Sequence, residues 1–308
     1  MTAADPRSAA AALAAGELII LPTETVYGLA ADAADPTAVA RLFEAKGRPR
    51  FNPLIAHVAD WTMAGRVGRL DDRARRLADA FWPGPITFVA PIADASLVCD
   101  LARAGLDTVA VRAPGHRQAQ AVIASFGRPV VAPSANRSGR PSPTTFADAV
   151  AETGTAASVR LDGGDCEIGL ESTVVALLDG PARLLRPGAV TRSQIEALIG
   201  PLAEADADAA RSPGRLARHY APNAPMRLNA DAPQPGEAYL AFGPAPSGDP
   251  VFNLSQTCDL REAAARLFSS LRAADAVTPV AIAVAPIPEE GLGEAINDRL
   301  RRAAGYVG

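Results

Sequence analysis

Of the 308 residues, 30 are lysine or arginine, and Lys46 is the sole lysine among them. Lysine presents a compact, mobile point charge, whereas arginine presents a rigid fork suited to bidentate contacts. A chain that uses arginine at every other cationic position therefore marks Lys46 as a place for a single charge. The run Ala45-Lys46-Gly47-Arg48-Pro49-Arg50-Phe51-Asn52-Pro53 packs three cations into five residues around a glycine that permits close backbone approach. With Asn52 and His57 beside it, this stretch suits a triphosphate. A second polar turn, Pro22-Thr23-Glu24-Thr25-Val26-Tyr27-Gly28-Leu29, offers hydroxyls such as that of Thr25 to a carboxylate, an amine or a phosphate. In Ala132-Pro133-Ser134-Ala135-Asn136, Ser134 and Asn136 fall on one side of an extended chain, and both can donate and accept. Thr108 and Arg112 bound another segment, Glu171-Ser172-Thr173 opens one, and Arg186 ends one before Pro187-Gly188.

Several familiar arrangements are absent. The chain has no Gly-x-x-x-x-Gly-Lys-Ser/Thr loop, no Gly-x-Gly-x-x-Gly turn after a strand and no Gly-x-Ser-x-Gly elbow. A nucleotide must then be held by side chains and other turns. Cys99, Cys166 and Cys258 are odd in number and far apart, and His57, His116 and His219 do not pair with them at metal-ligand spacing. Neither a disulfide framework nor a structural zinc is implied, and a reduced, cytoplasmic protein is expected.

These residues recur at the ends of strand-like segments. Glu17 to Leu21, Leu54 to Val58, Ile86 to Pro91, Thr108 to Arg112, Pro129 to Ala132, Ser158 to Leu161, Ser172 to Leu178 and Arg183 to Arg186 read as strands. Helices are predicted after Asp5-Pro6 and Asp35-Pro36, then near 71–80, 116–124, 144–151 and 192–199. That alternation makes residues 1–200 an α/β domain. Residues 201–224, rich in proline and glycine at both ends with a charged and aromatic middle, read as a linker that touches something. Strands at 238–242 and 280–285 and helices at 259–274 and 291–303 make residues 225–308 a small second α/β domain.

A net charge of −4 weighs against broad nucleic-acid binding, while leaving room for a local basic cavity. No apolar run approaches the roughly 18 residues that span a bilayer, so no membrane partner is expected.

Taken in order, these segments resemble the threonylcarbamoyl-AMP synthase family in its long two-domain form. The resemblance rests on Pro22 to Leu29, Lys46-Gly47-Arg48-Pro49, Asn52-Pro53-Leu54 and His57. It continues through Phe81-Trp82-Pro83-Gly84-Pro85, Val111-Arg112-Ala113-Pro114, Ala132 to Gly139 and Glu171-Ser172-Thr173-Val174. The linker residues Ser212-Pro213-Gly214 and His219-Tyr220-Ala221-Pro222, and the closing Ala295 to Arg299, complete it. It implies a YrdC-type twisted mixed sheet with helices around a concave basic cavity, then the linker, then a small Rossmann-like α/β domain. It also implies synthesis of L-threonylcarbamoyladenylate from L-threonine, bicarbonate or CO2, and ATP with Mg2+, releasing pyrophosphate. The product would feed a tRNA threonylcarbamoyl transferase complex that modifies adenosine beside the anticodon. By the same resemblance, threonine is held by Thr25, His57, Arg112, the backbone of Ala132, and Ser172. ATP lies against Arg48, Asn52, Thr108, Ser134, Ser142 and Arg186, with Tyr220 of the linker closing over it. Lys46, Arg48, Ser134 and Asn136 form the catalytic set, with no metal held by protein side chains. Arg215 stands where relatives usually carry methionine, which bears on how the linker packs. Relatives of the first domain also suggest weak RNA binding, and a similar domain serves carbamoyl transfer in hydrogenase maturation. The zinc fingers and acylphosphatase-like domain of that system are missing from this chain.

Overall fold

The computed structural model describes residues 5–49, 51–203, 219–245 and 250–305. The first domain opens with α1 (Pro6–Ala14), capped by the Asp5 carboxylate on the Ser8 amide and started by Pro6. Strands β1 (Leu18–Leu21) and β2 (Gly28–Asp32) follow, antiparallel to each other. Helix α2 (Pro36–Lys46) is capped by Asp35 and stops at Gly47, whose φ of 59° is the left-handed geometry that ends helices. Then come β3 (Ile55–His57), α3 (Trp61–Val67), α4 (Asp72–Phe81), β4 (Ile86–Pro91), α5 (Asp100–Arg103) and β5 (Thr108–Arg112). The domain continues with α6 (Arg117–Phe126), β6 (Val130–Val131), α7 (Phe146–Thr153), β7 (Ala157–Arg160), β8 (Thr173–Ala176), β9 (Arg183–Arg186) and α8 (Arg192–Ile199).

Among the described residues these strands form one mixed sheet in the order β7-β1-β2-β6-β3-β5-β4-β8-β9. Its register decides what meets what. β3 and β5 run parallel with His57 opposite Arg112, so both side chains leave the sheet at one place and on one face. β9 pairs with β8 so that Arg186 lies opposite Val174, and a bridge joins Gly28 to Ser134. The turn after β1 and the turn after β6 are thereby brought side by side.

The segment Gly28–Asp32 is a fully buried strand, where the sequence suggested only the tail of a polar turn. It contains small residues with no polar alternation, because β1 and β6 flank it and both of its faces are covered. Helices α3 and α5, short and set between longer elements, were likewise not foreseen.

The second domain holds β10 (Met226–Arg227), β11 (Glu237–Ala241), β12 (Val251–Asn253), α9 (Leu260–Ala276), β13 (Ala281–Val284) and α10 (Leu292–Ala304). Its four strands are all parallel in the order β10-β13-β11-β12. α9 lies against β11 and β12, and α10 lies against α9 and β10. The core under these helices is continuous with the first domain, since Val26 and Leu170 pack with Tyr220, Leu267 and Phe268. Ion pairs frame the contact: Arg272 bonds Glu152 at 2.8 Å and Arg192 bonds Glu294 at 3.0 Å.

Gly169 shows how close the domains are. Its φ is 72°, and a Cβ there would sit 2.5 Å from the Cα and carbonyl oxygen of Ala265 in α9. Gly169→Ala should therefore cost about 2–4 kcal/mol, combining left-handed strain with overpacking against backbone that has no room to yield. Urea unfolding should show the loss, and an unchanged midpoint would mean that the domains do not dock in this way.

Candidate functional site

A cavity of about 50 Å3 opens at the ends of strands of the large sheet. Nine of the residues expected there do line it: Thr25, Arg48, His57, Arg112, Ala132, Ser134, Ser172, Arg186 and Tyr220. Each arrives by a definite route. Thr25 sits in the turn after β1, buried, with its hydroxyl sharing a hydrogen bond with Thr23 at 2.8 Å. His57 and Arg112 end the paired strands β3 and β5. Ala132 and Ser134 leave β6, Ser172 precedes β8, and Arg186 ends β9.

Arg112 is the best-fixed cation. Its Nε donates to the Gly84 carbonyl at 3.2 Å, Nη1 to the Thr25 hydroxyl at 3.0 Å and Nη2 to Glu24 at 2.6 Å. A guanidinium has five N–H groups, so these three contacts leave one further donor on each terminal nitrogen. His57 is buried beside it. Burial, reinforced by the Arg112 charge, lowers its pKa to about 3, so the imidazole is neutral at physiological pH. Its Nδ1 lies 3.2 Å from the Ile55 carbonyl, the partner that would hold the ring hydrogen there.

On the other side, Arg186 donates through Nε and Nη2 to the Ser172 carbonyl at 3.0 and 2.9 Å and through Nη2 to its hydroxyl at 3.2 Å. Arg48 is held by the carbonyls of Asn52 at 3.4 Å and Pro53 at 3.2 Å. Burial brings its pKa down to about 10, which leaves it charged.

Five expected residues stand elsewhere. Lys46 does not line the cavity. It is buried at the end of α2, and its Nζ donates to the carbonyls of Ser134 and Asn136. The lone lysine thus pins the 133–139 turn from behind, where a compact ammonium fits between two carbonyls, and burial pushes its pKa well down. The Asn136 amide donates to the carbonyls of Arg137 and Arg140 at 2.8 and 2.9 Å, shaping the same turn. Asn52 acts through its backbone on Arg48. The Ser142 hydroxyl donates to Glu171. Thr108 begins β5 on the same face as Arg112 but two pleats away, ~13 Å along the strand.

Two ionisable residues of the cavity wall were quoted in motifs without being assigned a role. Glu171 is fully enclosed. Burial raises its pKa, but Arg299, Arg186 and the Ser142 hydroxyl outweigh that and leave it at about 2. His219 closes the top next to Tyr220, with ring centroids 3.9 Å apart, and its buried Nδ1 has no hydrogen-bond partner. Tyr220 has a φ of 64°, rare for a bulky side chain and costing on the order of 1–3 kcal/mol, and such strain gathers at ligand clamps. Ser212 to Arg218, with Arg215 among them, lie outside the described residues. As for magnesium, the described residues contain no cluster of three metal-ligating side chains, and both oxygens of Glu171 are already engaged by Ser142 and Arg299.

Residues 11–188 match a family model described as "Telomere recombination", and residues 190–305 match one described as "Threonylcarbamoyl-AMP synthase, C-terminal domain". The chain belongs to the threonylcarbamoyl-AMP synthase family. It is similar to the threonylcarbamoyl-AMP synthase of Pyrococcus abyssi (strain GE5 / Orsay), 40% identical over 97% of this chain and 94% of that protein. The enzyme of that name from Bacillus subtilis (strain 168) is 39% identical over 98% of this chain and 94% of its own. The crystal structure of P. abyssi Sua5 complexed with L-threonine superposes with a TM-score of 0.91 at 38% identity, covering 98% of this chain and 94% of that one. The mixed sheet and the two-domain architecture are therefore those of the family. Among the described residues no helix is long and apolar enough to cross a membrane.

Two outcomes follow from the buried charges. Lys46→Met removes a charged donor from two carbonyls and should cost about 2–4 kcal/mol in chemical unfolding while loosening Ser134; an unchanged stability would show that the turn holds itself. The folded pKa of Glu171 is depressed from 4.5 to about 2. Its stabilising contribution is therefore present above 4.5 and lost as the pH falls toward 2. Between about pH 5 and about pH 3 the wild type should lose about 2 kcal/mol more than Glu171→Gln. Parallel stability curves would refute this.

Proposed function

We propose that the cavity joins L-threonine, bicarbonate or CO2, and ATP into L-threonylcarbamoyladenylate with release of pyrophosphate. The observation that carries this reading is Arg112, locked on three protein oxygens at the wall of the cavity, a buried cation that suits an amino-acid carboxylate. Around it, Thr25, neutral His57, the Ala132 backbone and Ser172 suit the hydroxyl and amine of threonine. The P. abyssi structure at 38% identity contains L-threonine, which supports the same ligand class here.

The chemistry asks for alignment more than for a nucleophilic side chain. The threonine amine adds to the carbon of bicarbonate and water departs, giving a carbamate. One carbamate oxygen then bonds to the α-phosphorus of ATP as the bond to the pyrophosphate oxygen breaks. Two anions must meet in that second step, so charge neutralisation and a water-poor cavity carry the rate. Arg48 and Arg186, with Ser134 between the turns, would face the phosphates. Asn52 and Ser142 serve behind them through Arg48 and Glu171. Magnesium enters as part of the MgATP substrate.

Tyr220 and His219 would act as the lid. A ligand cavity is typically about 300–1,000 Å3, so about 50 Å3 leaves no room for a nucleotide until this pair withdraws. Strain at Tyr220 and the unpartnered His219 nitrogen both lower the cost of that withdrawal. Downstream, the mixed anhydride would pass to a tRNA threonylcarbamoyl transferase complex.

Purified protein should release pyrophosphate from ATP only when threonine and bicarbonate are both present. Arg112→Ala should lower kcat/KM for threonine at least ~100-fold, in line with loss of a buried bidentate charge contact. Pyrophosphate release indifferent to threonine would sink the proposal.

A further inference from the structure

Arg299 belongs to α10 in the second domain and is completely buried, yet two of its hydrogen-bonding partners lie in the first domain. Its Nε donates to Glu171 at 2.9 Å and its Nη1 to the Pro187 carbonyl at 2.9 Å. Its guanidinium carbon lies 5.6 Å from the centre of the Tyr220 ring, within cation–π range. Within its own domain, Nη1 also donates to Asp298 at 2.8 Å. One side chain therefore touches a cavity-wall carboxylate, the residue following Arg186, and the lid.

The contact has little freedom. Pro187 leads into Gly188, where a Cβ would lie 2.5 Å from the Thr173 amide nitrogen and 2.7 Å from the Glu171 carbonyl oxygen. The segment carrying Arg186 is thus pressed against the segment carrying Glu171, and Arg299 clamps both from outside. Charge explains why a cation is needed there. Glu171 is the carboxylate on the wall that holds Arg48 and Arg186. Left unbalanced, it would repel a triphosphate and compete with it for Arg186.

We infer that Arg299 is a positioning residue for the nucleotide half of the reaction, contributed by the second domain, and that it neutralises Glu171 so that the cavity wall around Arg48 and Arg186 stays positive toward phosphate. The role rests on the synthase reading above and gives the second domain a part in ATP use. Threonine recognition, carried chiefly by the carboxylate contact at Arg112 with Thr25 and His57 beside it, should not depend on it.

The test uses full-length protein with Arg299→Gln, which keeps hydrogen-bond donors but drops the charge, beside Arg299→Lys, which keeps the charge. For Arg299→Gln, the KM for ATP should rise at least tenfold while threonine affinity by calorimetry stays within twofold. Arg299→Lys should recover most of that loss, as should the neutral pair Glu171→Gln/Arg299→Gln. An unchanged ATP KM in Arg299→Gln, equal effects of Gln and Lys, or a parallel loss of threonine affinity would overturn the inference. Should Arg299→Gln alone fail to fold, the neutral pair carries the test, since an ATP KM more than tenfold above wild type in that pair would equally overturn it. A wild type that lacks threonine-dependent pyrophosphate release sinks the synthase reading instead, so the two failures are distinguishable.

Discussion

Lys46, Arg48, Arg112 and Arg186 are all drawn out of water around one cavity, and every other feature of the site answers to that crowding. Buried cations need oxygen partners, because an unpaired charge in the interior costs several kcal/mol. The protein supplies carbonyls wherever the cation must stay put: Ser134 and Asn136 for Lys46, Asn52 and Pro53 for Arg48, Ser172 for Arg186. Carboxylates are used more sparingly, Glu24 behind Arg112 and Glu171 near Arg186. Carbonyls carry no net charge and leave the field of the cavity positive. That choice suits a site meant for anions.

Glu171 is the exception that tests the scheme. It stands on the cavity wall, and burial alone would favour its protonated form. It stays ionised because Arg299 reaches it from the other domain and Ser142 donates to its second oxygen. A negative charge that is fully balanced can orient its neighbours without repelling a phosphate. The same guanidinium sits near the Tyr220 ring, so the balance of charge and the seating of the lid share one residue. Domain docking and active-site electrostatics are then a single packing problem, and Gly169, with no space for a Cβ against α9, belongs to its solution.

Local chemistry was legible in the chain, and long-range placement was not. Thr108–Arg112 reads as a strand because β-branched residues alternate up to Ala113-Pro114, and it forms over those residues. The helices at Pro6 and Pro36 announce themselves through an aspartate cap and a proline at the first position. Gly28–Asp32 hides because a strand covered on both faces has no alternation to show. Among site residues, Arg112, His57 and Ser172 were visible as polar side chains at strand ends, which is where the sheet delivers them. Lys46 was visible as an oddity, but its position was not. Its role depends on a turn almost ninety residues away closing over the end of α2, a contact no local pattern encodes. Arg299 was harder still, since its meaning appears only when the second domain docks.

The carbonyl-held cations also bear on the proposed reaction. Arg48 and Arg186 rest on backbone oxygens, and Tyr220 and His219 share the cavity wall with them. A triphosphate offers more oxygens at higher charge, so its arrival can strengthen the bonding of both arginines without removing the carbonyls that aim them. In the proposed reaction Tyr220 and His219 would withdraw for that exchange, and a tyrosine held at φ 64° beside an unpartnered histidine nitrogen is poised to do so.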